Sequence, residues 1–394
     1  MKRFLAKIHL WLSIPVGLFL AIICLTGASL VFEQEITRAL NGDLYQVEVP
    51  RDQSRLTPSQ LEACIRKQTG DSLTLASLQY AGNPEEACLA TFRQLPRKTL
   101  SIDPYTGEVK GWLKSYSFFQ TMRKLHRWLL DTPAQKGASS TGKLIVGVST
   151  LLMAFILISG MVIWVPRTRK ALKNRLNVSV RKGWRRFWYD THVALGFYSF
   201  LFLLVMALTG LTWSFRWYRT AAYSLFGGGQ SAQAASPASA SGHDSSGKKN
   251  QEGKERKRKQ TNYIAWDQAW QELQIRYPEC KSITLSNGTA QIAPDPSASM
   301  RRNDTAGFDP NSGEIIQVTH YKDLPRANKL KGWFYAFHTG SWGGTITKVL
   351  YFLAALIGGT LPLTGYWLWL KKKSSRRSGK RIPATDCPSA LKIR

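Results

Sequence analysis

Four apolar stretches divide the 394-residue chain, and they come as two matched pairs. Residues 9–27, HLWLSIPVGLFLAIICLTG, and 192–210, HVALGFYSFLFLLVMALTG, each open on a histidine and reach a Thr-Gly pair at the same offset, His9 to Thr26 and His192 to Thr209. Residues 144–165 and 349–370 each follow a lysine, Lys143 and Lys348, and carry Ser159-Gly160 and Thr364-Gly365 at equal spacing. A helix needs about 20 apolar residues to cross a bilayer, and each stretch with its flanks meets that length. The chain therefore reads as a membrane α-helical protein, a four-span bundle built from two tandem repeats.

Charge placement orients it. Lys and Arg outnumber Asp and Glu by 54 to 25, an excess that in a soluble domain points to nucleic acid. Here the basic residues gather where spans begin or end: Lys2, Arg3 and Lys7 before the first, a run from Arg167 to Arg186 between the second and third, and Lys371 to Arg381 after the fourth. By the positive-inside rule these segments are cytoplasmic, both termini included, and no nucleic-acid partner is implied. The run from Ile8 to Phe32 is too long for a signal core and ends in Glu33-Gln34-Glu35, so it reads as a retained anchor.

The chain is thereby divided into a first span (1–32), an outer domain (33–115), an interfacial amphipathic segment (116–142), a second span (143–166) and a basic cytoplasmic loop (167–190). The second half follows with a third span (191–216), a second outer domain (217–325), another interfacial segment (326–345), a fourth span (346–370) and a basic tail (371–394). Within the second outer domain, 227–260 is Gly-, Ala-, Ser- and Lys-rich, has little to bury, and reads as a disordered solvated linker.

Both outer domains follow one plan, a helix and then short strands. In the first, a helix over Leu56 to Gln68 starts at Thr57-Pro58, and strand-like runs follow at 73–80, 88–94 and 99–109. In the second, Ile264 to Tyr277 puts Trp266, Ala269, Trp270 and Leu273 on one stripe, with strand-like runs at 281–286 and 289–293. The segment IDPYTGEV at 102–109 is answered by FDPNSGEII at 308–316, so two extracytoplasmic α+β domains are expected. Cys64 and Cys88 lie outside and are open to bridging in an oxidising compartment; no cysteine spacing suits a metal site.

The topology sorts the histidines. His9 and His192 begin outward-going helices and lie near the inner face, whereas His126 and His338 precede inward-going helices and lie near the outer face. About a pseudo-twofold axis they form the pairs His9/His192 and His126/His338. Paired imidazoles suit the two axial positions of six-coordinate haem iron, and Gly17 and Gly196 leave room near the inner pair. The competing use of each is an ordinary interfacial histidine with a satisfied hydrogen bond. Arg123, Arg127 and Lys329, beside the outer pair, suit haem propionates or lipid headgroups equally. The Thr-Gly pairs read as positions of close helix packing.

In their order, the repeated helix-plus-strands unit, the Asp-Pro-x-x-Gly-Glu turns at 103–108 and 309–314, LHRWL at 125–129, the His…Leu-Thr-Gly helices and FHTG at 337–340 resemble the PepSY-associated transmembrane family. More narrowly, the chain is similar to the di-haem inner-membrane ferric-siderophore reductases of that family. The resemblance implies an oxidoreductase of the bacterial inner membrane with two b-type haems, axially ligated by His9, His126, His192 and His338. It implies PepSY-like periplasmic domains and electron transfer to a ferric siderophore or similar ferric chelate, releasing Fe(II) for uptake. No nucleotide-binding fingerprint is present, so the electrons come from a cytoplasmic reductant or a membrane quinol. The alternative is a non-enzymatic membrane-anchored PepSY binding or regulatory protein, which has no use for buried imidazoles.

Overall fold

The computed structural model describes residues 1–133, 138–227, 261–295 and 302–378. The linker expected at 227–260, Gly227 apart, and the end of the basic tail lie outside the described residues. The first half runs α1 (Lys2–Leu30), α2 (Glu33–Leu40), α3 (Gly42–Tyr45), α4 (Pro58–Thr69), β1 (Leu75–Ala81), β2 (Cys88–Phe92), β3 (Thr99–Ile102), β4 (Val109–Trp112), α5 (Ser117–Trp128) and α6 (Thr141–Trp164). The short α7 (Arg169–Leu176) leads into the second half: α8 (Trp184–Ser214), α9 (Arg216–Leu225), α10 (Tyr263–Arg276), β5 (Ser282–Ser286), β6 (Thr289–Ala293), β7 (Asp304–Phe308), β8 (Ile315–Thr319), α11 (Arg326–Thr339) and α12 (Gly344–Ser378). The chain folds into two compact units, a helical one of residues 1–30, 121–214 and 349 onward, and a sheet unit of 31–120 and 215–348.

In the helical unit α1, α6, α8 and α12 are long and apolar enough to cross a membrane, so the protein is a multi-pass membrane protein. Val16, Leu20 and Cys24 of α1, Met153 of α6 and Leu203 of α8 form one core, against which Leu361 of α12 packs. Because lipid is as apolar as leucine, close backbone approach rather than hydrophobicity holds such helices together. Gly358 and Gly359 provide it: a Cβ on the first would stand 2.7 Å from Leu203 Cδ2 and on the second 2.6 Å from Leu25 Cγ. Leu18, Phe155, Leu201 and Leu353 are exposed on the outside, where lipid covers them.

The basic segment between the second and third spans is folded back onto the bundle. Helix α7 occupies part of it and α8 already begins at Trp184. Arg175 Nη1 donates to Ile163 O at 3.0 Å, and the Tyr198 hydroxyl donates to Leu176 O at 3.2 Å. Asp190, 3 % exposed, is paired with Arg186 Nε at 2.8 Å. These contacts satisfy carbonyls left open at helix ends, which is why the segment is ordered despite its charge.

The sheet unit departs from the expected pair of separate domains. All eight strands form one antiparallel sheet in the order β4-β3-β2-β1-β5-β6-β7-β8. The central seam pairs Ser77 with Ser286 and Ala81 with Ser282, so the strand that would be an exposed edge in either half is covered by the other. One core results, with Leu61 and Ile65 of α4 and Trp266, Ala269, Trp270 and Leu273 of α10 packed over Leu78, Tyr80, Phe92, Leu285 and Phe308. Asp267 of α10 accepts from the Ser59 backbone N–H of α4 at 2.7 Å and from the Ser59 hydroxyl. The two halves are therefore joined through the helices as well as the strands.

The two Asp-Pro hairpins explain their own sequence likeness. Asp103 accepts from Tyr105 N at 2.8 Å and Asp309 from Asn311 N at 2.8 Å, each holding a tight turn. Gly107 and Gly313 follow at φ +73° and +86°, and each turn presses on a helix. A Cβ on Gly107 would meet Cys64 Sγ of α4 at 2.6 Å, and one on Gly313 would meet Ala265 O of α10 at 2.2 Å. Cys64 and Cys88 are free thiols, Cys64 under the hairpin turn and Cys88 buried in β2.

Candidate functional site

Three histidines of the helical unit are held in the same way. His9 Nδ1 lies 3.0 Å from Ile156 O and 3.2 Å from Ser159 Oγ, and its Cε1 would be 3.1 Å from a Cβ on Gly160. His126 Nδ1 lies 2.8 Å from Ile23 O with Thr26 Oγ1 at 3.5 Å, and a Cβ on Gly27 would be 2.9 Å from its Cε1. His192 Nδ1 lies 2.8 Å from Thr364 Oγ1, whose hydroxyl donates to Leu361 O at 2.8 Å, and Gly365 faces its Cε1 at 3.6 Å.

Each ring thus rests on a carbonyl at position i, a hydroxyl at i+3 and a glycine at i+4 of the facing helix. The spacing is that of one α-helical face, so the three groups line up under a single side chain. A carbonyl only accepts, and the Thr364 hydroxyl is already donating, so Nδ1 carries the proton and each Nε2 keeps its lone pair. An imidazole with Nδ1–H engaged and Nε2 directed away is the arrangement of metal-ligating histidines. Burial pushes the His126 imidazole below its usual pKa, outweighing the opposite effect of the Ile23 carbonyl.

His9 of α1 and His192 of α8 are linked through α12, where Gly365 faces the His192 ring and the next residue, Tyr366, donates to Ile14 O of α1 at 2.6 Å. They lie at the end of the bundle that carries the basic segments. The cradle of His126 is at the opposite end of α1, 17 residues beyond His9, about 25 Å of helix. His338 belongs to the sheet unit, in the last turn of α11, which Gly340 closes in the left-handed conformation. The fourth Ser/Thr-Gly step of the spans, Thr209-Gly210, is on α8, with the Thr209 hydroxyl turned onto Val205 O at 2.6 Å.

Two imidazoles at one end of the bundle are the number that haem iron takes and fewer than the four ligands of structural zinc. Among the described residues no cluster of three or more His, Cys, Asp or Glu forms. The donor set at His9 and His192 therefore fits haem in type, number and tautomer.

Several expectations change. Thr26-Gly27 was expected to serve helix packing; what it receives is the His126 ring. Gly17 was expected to leave room for a porphyrin, yet the Tyr366 hydroxyl fills that space, where a Cβ would stand 2.6 Å from it, and donates to Ile14 O at 2.6 Å. Gly196 has only Leu361 Cδ2 nearby, at 3.9 Å from a Cβ. Of the basic residues, Arg123 is exposed on α5, and Arg127 is stacked 4.5 Å over the Trp128 ring. Lys329 donates to Lys322 O at 2.5 Å within its own unit.

His320, without a counterpart in the first half, has a local structural partner. Its Nδ1 lies 2.7 Å from Asp304 Oδ2, while Asp304 Oδ1 accepts from Tyr321 N at 2.8 Å. Ser159 and Thr364 were visible in the sequence only as small-residue steps. Their signal was there: His9, His126 and His192 are each matched by one Ser/Thr-Gly dipeptide on the helix they face.

The family model for the PepSY-associated TM region matches residues 6–372. A search of the curated proteins finds no match. The matched span takes in all four apolar helices, the eight-stranded sheet and the four histidines, and the chain belongs to the PepSY-associated transmembrane family.

Proposed function

We propose that this protein is a haem-b reductase of the bacterial inner membrane that moves electrons across the bilayer to a ferric chelate, such as a ferric siderophore, and so releases Fe(II). The observation that supports the proposal is the matched setting of His9 and His192 at one end of the bundle, each with Nδ1 engaged by the facing helix and Nε2 available. An anchor has no need of such a pair. The basic segments support a cytoplasmic reading of that end of the bundle, and the proposal takes the sheet unit to be periplasmic.

Haem b, when bound, supplies one-electron Fe(III)/Fe(II) chemistry. The chain's own contribution is positional. Ser159 and Thr364 hold the His9 and His192 rings at Nδ1, so that both Nε2 atoms stay unprotonated and would hold the haem iron. The apolar core of Val16, Leu20, Met153 and Leu203 keeps water from the interior. Overall, one electron from a cytoplasmic reductant or membrane quinol reduces one ferric ion in its chelate, and the chelator, which holds Fe(II) weakly, lets it go. Two b-type haems are proposed; the second rests on the sequence equivalence of His126 with His338.

The test is an oxidised-minus-dithionite-reduced visible spectrum of the detergent-purified protein and of its His9→Ala and His126→Ala variants. Sharp b-type bands, about halved in each variant, support two bis-histidine haems. Absence of bands after expression with ample haem overturns the reading and leaves a membrane-anchored binding protein.

A further inference from the structure

Two buried polar atoms beside the His9/His192 pair have no hydrogen-bond partner: Trp164 Nε1 and Thr191 Oγ1. Among the described residues one other buried side-chain nitrogen or oxygen shares that condition, Trp266 Nε1 in the core of the sheet unit. Trp164 stands one turn beyond Gly160 on α6, on the face that receives His9. Its indole lies flat on Phe197 of α8, with ring centroids 3.9 Å apart and planes 12° from parallel. Thr191 directly precedes His192 on α8.

The Thr191 hydroxyl is unlike others in the spans. Those of Thr26, Thr150, Thr209, Thr212, Thr360 and Thr364 all donate to a carbonyl three or four residues back on their own helix. That is the usual resting place for a threonine in an apolar helix. Thr191 does not take it.

Leaving a donor buried and unpaired costs about 1–3 kcal/mol, so native structures rarely do so without a ligand or water to accept it. An indole N–H only donates, which makes its partner an acceptor. The surroundings favour a negative one: Arg175 and Arg186 border this end, and the buried Asp190 carboxylate is already held by Arg186. A porphyrin gripped through its iron by His9 and His192 carries two ring carboxylates, which supply that charge.

We propose that Trp164 and Thr191 are the hydrogen-bond donors that anchor the ring carboxylates of the porphyrin at this end of the bundle. The proposal rests on the haem reading above. It assigns the carboxylate partners to an indole and a hydroxyl inside the bundle, in place of surface lysines and arginines.

The experiment is a Soret titration of full-length protein prepared without haem, using haem and haem dimethyl ester, whose carboxylates are masked. Trp164→Phe keeps the stack on Phe197 and Thr191→Val keeps the shape of the side chain. Each variant is expected to bind haem about tenfold more weakly than the parent, the loss of one charge-assisted hydrogen bond, and to bind the ester as the parent does. Thr191→Ser restores haem affinity. Equal weakening toward both ligands overturns the proposal in favour of a packing role, and unchanged haem affinity in both variants overturns it outright. If the parent protein binds neither ligand, the haem reading itself fails, and this assignment falls with it.

Discussion

The Nδ1 atom of His192 lies 2.8 Å from the hydroxyl oxygen of Thr364, and that hydroxyl donates in turn to Leu361 O of the same helix. The pair joins the first turns of one span to the last apolar turns of another. It determines which nitrogen of His192 faces the interior.

Thr364→Val removes the Nδ1 partner while preserving shape. Haem affinity is expected to fall by about 10- to 100-fold, the usual cost of losing a partner that orients a metal ligand. Thr364→Ser should retain most of it. Titration of apoprotein followed at the Soret band measures both.

Gly27→Ala puts a methyl group 2.9 Å from His126 Cε1, while Nδ1 of the same ring is tied to Ile23 O one turn earlier on that helix. The crowding should cost about 1–3 kcal/mol. Gly196→Ala, whose Cβ meets nothing closer than Leu361 Cδ2 at 3.9 Å, is expected to be neutral or stabilising by up to about 1 kcal/mol. Thermal melts of the two variants in one detergent compare them directly; equal destabilisation would count against the cradle at Gly27.

Asp267→Ala should destabilise the sheet unit by about 1.5 kcal/mol. Asp267 holds both the backbone N–H and the hydroxyl of Ser59, the second residue of α4, from the opposite half of the chain. Proteolytic susceptibility of the 31–120 segment, read against temperature, should rise with the loss.

Leu129 and Leu130 follow α5 with φ of +50° and +71°, in a region that costs a side-chain-bearing residue about 1–2 kcal/mol. Leu130 is exposed, so little packing offsets the strain. Leu130→Gly is therefore expected to raise stability by about 0.5–1 kcal/mol, and an unchanged or lower melting temperature would show that the leucine is held by contacts outside the turn.

From sequence alone the four spans, the helix that opens each outer half and the strands from β1 to β3, β5 and β6 are legible, whereas α2, α3, α7 and α9 are not. Hydrophobic periodicity and length are local properties: the stripe Trp266, Ala269, Trp270, Leu273 identifies a helix and its buried face without reference to any partner. The same holds for Thr57 and Gln60, where Gln60 accepts from the Thr57 N–H at 2.9 Å at the start of α4. The histidines were legible too, because matched positions in two halves of a chain are visible as text. What the sequence could not supply was which surfaces meet. That β1 pairs with β5, making one sheet of eight strands, depends on two edges separated by about 200 residues finding each other. That Ser159 and Thr364 hold histidines, and that Tyr366 fills the space at Gly17, depends on the rotation of each helix about its axis. Rotation is decided by side-chain fit across an interface, and no single helix contains that information.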